Sequence, residues 1–440
     1  MNYKEFLNLF GGAIFVFIIR VIGACAVFLT QIFLARWIGA AEVGVYVYAF
    51  SLFNLLAIIA GMGLYPSALR HIGKGLALNQ HDVVVGFAQR GRELTFLAGN
   101  IVAFIGLLVV HYTNGIVAPN YVVPLTFAMA GIPLMCLINW QSTIAQCMNW
   151  FSAAFVPTNV TRPVLLILAI AAAHHIGYNY RLNASSVLLM HLGIMLFVWM
   201  TSALYLKLRL KRRFKGVEPR YQTKLWVSTG LPLLLIILFT NFFLDINIVI
   251  VGFSLDAEQL GIFNASFRVA VLIAFGIQSV DAILMPKFTQ YHAAEEHDKL
   301  QRIVALTTQL KFWASLCGLA IFAVFGREVL AFFGDEFVQG YNALIILSVS
   351  QVVRAAVGPL SQMLSVTGHH SYCLVVAVVS ILLMLGLNYW LIGTYGVIGA
   401  AIVVVAVISF EALLLTIACK KYLRLNASIF AIFSLKKIFH

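Results

Sequence analysis

Seven ionisable side chains stand inside long apolar stretches of this 440-residue chain: Arg20, Arg162, Arg268 and Arg354, together with Asp245, Asp281 and Glu411. A charged group at the centre of a bilayer costs at least about 2.5–3.5 kcal/mol, so such a residue faces a cavity or a partner. Arginine stays charged when water is stripped from it, whereas a buried acid takes up a proton. A cavity furnished with fixed arginines therefore attracts anions, and phosphates above all, through forked hydrogen bonds.

The neighbours of two arginines fit that chemistry. Ala24, Val27 and Gln31 follow Arg20 at helical spacing, so this stripe is small or polar. Asn264, Phe275 and Ser279 share the face of Arg268. Both stripes suit a lumen; the alternative for each is an arginine locked in a structural ion pair. The same two readings apply to Arg354. Arg162 follows Pro157 near a helix end, within snorkelling reach of the headgroups. Arg20, Arg268, Arg354, Gln31 and Asn264 are thus the candidate substrate-binding residues. Asp245, on one face with Asn241, is the candidate for proton or cation coupling, against a helix–helix salt bridge. Asp281 and Glu411, near helix ends, read as interfacial or structural.

Other chemistry finds no support. There is no P-loop, no HExxH and no cofactor motif. His174-His175 and His369-His370 are adjacent pairs that point about 100° apart on a helix, which makes them poor joint metal ligands. The six cysteines lack any CxxC and read as small apolar residues. No catalytic residue is expected, and the chain does not read as an enzyme.

The elements that must position these residues follow from composition. Hydrophobic residues make up 62% and charged residues 10%, and the mean hydropathy is +0.96. A water-soluble fold of this length cannot hide so much apolar surface. Spanning helices need about 20 apolar residues each. Twelve are predicted, at 10–37, 43–65, 94–112, 121–146, 157–177, 185–206, 225–252, 262–286, 311–333, 341–366, 372–392 and 398–418. The first run is too long for a signal peptide and ends without an A-x-A site. The tail at 425–435 reads as an interfacial helix.

The net charge of +13 would suggest nucleic acid in a soluble protein. Here sidedness accounts for it. With the N-terminus inside, 22 of the 29 basic residues fall in inner segments: Lys4, the stretch from Arg70 to Arg92, Lys207 to Lys224, Lys287 to Lys311, and Lys420 to Lys437. Both termini are then expected in the cytoplasm, and no nucleic acid is needed.

A basic segment, KLRLKRRFKGVEPRYQTK at 207–224, divides the chain near its middle. On either side a pattern recurs at an offset of 217 residues: Gly44 with Gly261, Tyr46 with Phe263, and Arg70 with Lys287. Each copy follows a short acidic outer turn. The expected organisation is an N-terminal six-helix lobe at 1–206, a linker at 207–224, a C-terminal six-helix lobe at 225–424 and a tail at 425–440. The two lobes would be related by a pseudo-two-fold axis along the membrane normal.

ARWIGAAEVGVYVYAF at 35–50, EQLGIFNASFRV at 258–269 and FFGDEFVQGY at 332–341, with two six-helix halves, resemble the bacterial polysaccharide-biosynthesis flippases. These are the Wzx or O-antigen transporters of the multidrug/oligosaccharidyl-lipid/polysaccharide exporter superfamily. The resemblance covers about residues 5–425. It implies an all-α polytopic membrane protein with a MATE-like V-shaped cavity and alternating access. It implies movement of an undecaprenyl-pyrophosphate-linked oligosaccharide across the bacterial inner membrane, for surface polysaccharide or lipopolysaccharide biosynthesis, with coupling to an ion gradient. It also implies membrane lipid, a polysaccharide polymerase and a chain-length regulator as partners. In related lipid-linked flippases, arginines of helices one and eight line a cationic lumen, and Arg20 and Arg268 match those helices. Two further readings stand beside it: a MATE-type cation-coupled multidrug antiporter, and an outer-face polymerase or ligase, which the short outer loops oppose.

Overall fold

The computed structural model describes residues 3–113, 118–176, 182–241, 243–423, 425 and 427–429. Its helices, in chain order, are α1 (Tyr3–Ala60), α2 (Leu64–Ala77), α3 (His81–Tyr112), α4 (Pro119–Cys147), α5 (Phe151–Val156), α6 (Arg162–Ile176) and α7 (Ala184–Arg213). They continue with α8 (Thr223–Asn241), α9 (Phe243–Gly252), α10 (Ala257–Ala293), α11 (His297–Ala331), α12 (Tyr341–Ala355), α13 (Leu360–Val366) and α14 (His370–Tyr422). A π-helical turn at Pro157–Thr161 joins α5 to α6, and a 3₁₀ turn at Asp335–Gly340 precedes α12.

Among the described residues, eight helices are long and apolar enough to cross a membrane. Two of these are helix pairs in direct succession. Gly39 interrupts α1 with φ 79° and ψ 168°, and Gly396 interrupts α14 with φ 52° and ψ −129°. Only a residue without Cβ takes such angles cheaply, so one glycine suffices for each break. With both sides of these breaks counted, and with the pairs α8–α9 and α12–α13, the helices accommodate the twelve predicted spans.

Several segments differ from the sequence reading. The stretches expected as loops at 66–93 and 287–310 are largely helical, forming α2, the end of α10, and the starts of α3 and α11. They carry too many charges to look like spans, yet α2 buries Leu64, Ala68 and Ile72 along one face. The span expected at 341–366 breaks between Ala355 and Leu360, where Pro359 disfavours helix in the residue before it. The start of the tail is not helical. Ser428 pairs with Val357 in an antiparallel bridge, Gly358 N–H donates to Ala427 O (2.9 Å) and Ile429 N–H to Ala356 O (2.9 Å). The tail thus supplies partners for backbone groups that the broken helix leaves open. Residues 430–440 lie outside the described residues.

The chain forms two compact units, Met1–Val249 and Ile250–His440. In the first, Phe87 packs between Trp140 and Trp226, with ring centroids at 5.8 and 4.6 Å. The basic segment after α7 lies on α3: Arg220 N–H donates to Asp82 O (3.0 Å) and the Tyr221 hydroxyl to Gln89 Oε1 (3.2 Å). Helix α8 packs on α2 within the first unit. In the second unit Phe288, Val304, Met363, Leu364 and Cys419 share a buried cluster.

The aromatic positions of the 217-residue repeat fall on helices in both units. Tyr46 and Phe50 lie 5.7 Å apart on α1, and Phe263 and Phe267, each 217 positions on, lie 6.1 Å apart on α10. The acids expected in outer turns serve helix ends rather than open loops. Glu42 Oε2 accepts from Ala184 N–H at the start of α7 (2.7 Å), and Asp256 Oδ1 from Gln259 N–H at the start of α10 (2.8 Å).

Candidate functional site

In the first unit the basic residues gather around a distortion in the α5–α6 helix. Pro157 has no N–H to give, so the i→i−4 ladder cannot run through it, and the backbone widens into a π-turn over Pro157–Thr161. Gly23 of α1 meets this turn at close quarters: a Cβ there would lie 2.6 Å from Asn159 O. That approach sets Arg20, one turn earlier, against α5. Its guanidinium lies over the Phe155 ring, 5.3 Å from the centroid. Arg20 is exposed, whereas Gln31, on the same stripe, is 8% exposed. The stripe therefore runs from an open end to a buried one.

Arg162 begins α6 at the end of the π-turn and is half-buried, with Nη1 3.7 Å from Met135 Sδ. No ion pair among the described residues holds Arg20, Arg162 or Arg354. Deeper in the unit, the Tyr46 hydroxyl and His191 Nδ1 are 3.1 Å apart, with Phe50 stacked on the imidazole at 5.0 Å. The sequence analysis missed His191. The available signal was the repeat itself: Tyr46 stands where the second half has Phe263, and its extra hydroxyl needs a polar neighbour when buried.

In the second unit the structure brings Arg268 and Asn264 together, with the arginine Nε donating to Asn264 Oδ1 (3.3 Å). Asn264 is 1% exposed and Arg268 half-buried. Arg354 occupies the last turn of α12 and is exposed. Asp245 is half-buried in the first turn of α9, while the side chain of Asn241 lies outside the described residues, so their pairing does too. Asp281 has a structural partner that sequence reading placed among the inner-segment cations: Lys311 Nζ donates to its Oδ1 at 2.6 Å.

Eight helices among the described residues that are long and apolar enough to cross a membrane define a polytopic α-helical membrane protein. Its fold is that of the multidrug/oligosaccharidyl-lipid/polysaccharide exporters. An inward-facing MATE-family multidrug resistance transporter of that superfamily superposes with a TM-score of 0.76 at 15% identity, over 92% of this chain and 98% of the other. The lipid II flippase MurJ, in an inward closed conformation, gives 0.72 at 12% identity, over 97% and 92%. The chain belongs to the polysaccharide biosynthesis protein family, whose profile matches residues 9–292. In sequence it is also similar to the probable low-salt glycan biosynthesis flippase Agl15 of Haloferax volcanii, 20% identical over 401 residues, covering 90% of this chain and 80% of the relative.

Proposed function

We propose that this chain is a flippase that carries a lipid-linked glycan between the leaflets of a membrane. The observation that carries the reading is Arg20: a cation in an apolar helix, steadied by the face of Phe155, with no carboxylate among the described residues to neutralise it. Its charge is left for an anionic ligand. Arg268, whose Nε donates to Asn264 Oδ1, is the second arginine of this reading. Membership of the polysaccharide biosynthesis family and the similarity to Agl15 support a glycan as cargo.

The specific form of the proposal is an undecaprenyl-pyrophosphate-linked repeat unit, O-antigen or another surface polysaccharide, moved from the inner to the outer leaflet of the bacterial inner membrane. Both termini are cytoplasmic in this reading, and the halves 1–206 and 225–424 rock about each other. Arg20, Arg268 and Arg354 take the pyrophosphate, with Gln31 and Asn264 as supporting polar groups, while the prenyl tail stays in lipid. Asp245 with Asn241 couples the cycle to an ion gradient. The chain performs no bond-breaking chemistry, and a polymerase and a chain-length regulator act on what it delivers.

Reconstituted protein and a defined lipid-linked oligosaccharide test this. Arg20→Ala and Arg268→Ala should each slow transfer at least tenfold at unchanged protein level, since removing a charge-assisted contact to phosphate costs about 1.5–3 kcal/mol. Normal transfer by both variants would refute the lumen assignment. The second reading, a cation-coupled multidrug antiporter, draws on the MATE likeness and on Asp245. It requires that Asp245→Asn abolish drug resistance in cells while surface glycan stays intact.

A further inference from the structure

Helices α3, α4 and α7 enclose, with the start of the basic segment after α7, a cavity of about 1040 Å³ in the first unit. Its walls are built from helical stripes. On α7, Trp199, Ala203, Leu206 and Leu210 follow one another at spacings of three and four, so they line one face. Phe96 of α3 and Leu137 of α4 complete the apolar end. The other end is basic: Lys207, Lys211 and Lys215, with Arg92 of α3, stand at its rim and are all exposed. The one acid of the lining, Glu93, is already engaged by Arg90 at 2.9 Å.

The cavity does not use the arginines assigned to the cargo. Its surroundings are those of a lipid-facing surface: Leu97, Met200 and Leu204 flank it and are 59%, 57% and 61% exposed on apolar spanning helices. A free anion would find four cations there but no use for the apolar wall. A zwitterionic lipid would fill the wall but would bring a cation of its own to the basic rim. Of these ligands, a negatively charged headgroup with acyl chains attached satisfies both ends of the cavity.

We infer that this cavity is a binding site for an anionic glycerophospholipid, its acyl chains between α3, α4 and α7 and its phosphate at Lys207, Lys211, Lys215 and Arg92. The inference is independent of the cargo: it stands on the cavity and its rim, whatever the protein moves.

Native mass spectrometry of the full chain in detergent, titrated with phosphatidylglycerol, phosphatidylcholine or inorganic phosphate, tests it. The wild type should retain phosphatidylglycerol at least tenfold better than phosphatidylcholine, and millimolar inorganic phosphate should not displace it. K207Q/K211Q should weaken phosphatidylglycerol binding about 30-fold, the combined effect of two basic residues beside an anionic headgroup. Arg212→Gln, an exposed change on the same helix that does not line the cavity, should weaken it less than threefold. Ala203→Trp, which fills the apolar end and keeps every charge, should also reduce retention. Equal retention of the two lipids, displacement by inorganic phosphate, or equal loss in Arg212→Gln and in K207Q/K211Q would each overturn the site. So would undiminished binding to a folded Ala203→Trp variant. Transfer assays on the same variants separate this outcome from any failure of the flippase reading.

Discussion

Replacing Lys311 with alanine is expected to destabilise the second unit by about 3–5 kcal/mol, the usual cost of stranding one partner of a buried ion pair. The side chain is 2% exposed, and Asp281, 13% exposed, receives its proton donor at 2.6 Å across α10 and α11. Without the cation, the carboxylate must either stay ionised in an apolar surround or take up a proton and lose its bond. Asp281→Ala alone should cost a similar amount, because it leaves the ammonium buried. The double variant Lys311→Met/Asp281→Leu should recover most of the loss, since apolar packing of like volume replaces such pairs well. Thermal unfolding in detergent, read from the exposure of buried Cys419 to a thiol-reactive dye, measures all three. Singles that cost under 1 kcal/mol, or a double that costs the sum of both, would show that the pair does not bind these helices together.

Gly63→Val should be comparably severe in the first unit. Gly63 precedes α2 with φ 67°, and a Cβ built there lies 1.9 Å from Gly230 O and 2.9 Å from Leu234 N of α8. Both obstacles are backbone, so no side chain can swing aside. The left-handed conformation alone costs a residue with a Cβ roughly 1–2 kcal/mol, more when it is β-branched. Parting α2 from α8 would also open the contact of Ser67 Oγ with Trp226 O (3.4 Å) and disturb the packing of Trp226 on Phe87. A loss of about 3–5 kcal/mol is expected, visible as a lower melting temperature and earlier labelling of Cys136. Gly73→Val serves as the reference, since nothing lies within 4 Å of a Cβ at that position. Equal melting temperatures for the two variants would remove the crossing from the list of what holds this unit.

Much of this was legible in the sequence, for a definite reason. An apolar span and an arginine within it differ in transfer energy by several kcal/mol, so both show without any tertiary context. That is why the spans, Arg20 and Arg268 could be picked out, along with the Asn264 that orients the latter. Position 311 was read instead as one more inner-segment cation, because a lysine near a span end looks the same whether it snorkels or pairs. Its partner lies 30 residues away, and only packing brings the two together. His191 was hidden more deeply, 145 residues from the Tyr46 hydroxyl it meets. The helices outside the spans do not stand out by apolar length. Amphipathic α2 satisfies a periodicity and not a length.

The breaks at Gly39 and Gly396 bear on how the polypeptide is made. A helix pair joined by a single residue has no slack in which its first member could settle in lipid while the second waits in water. Each pair is therefore expected to enter the bilayer as one unit. Lys4 and Arg70 lie beyond the two ends of one pair and Lys420 and Lys421 close the other, while Arg36 and Glu42 stand three residues to either side of the first break. For these four helices the placement of one member of a pair in the bilayer then constrains that of the other.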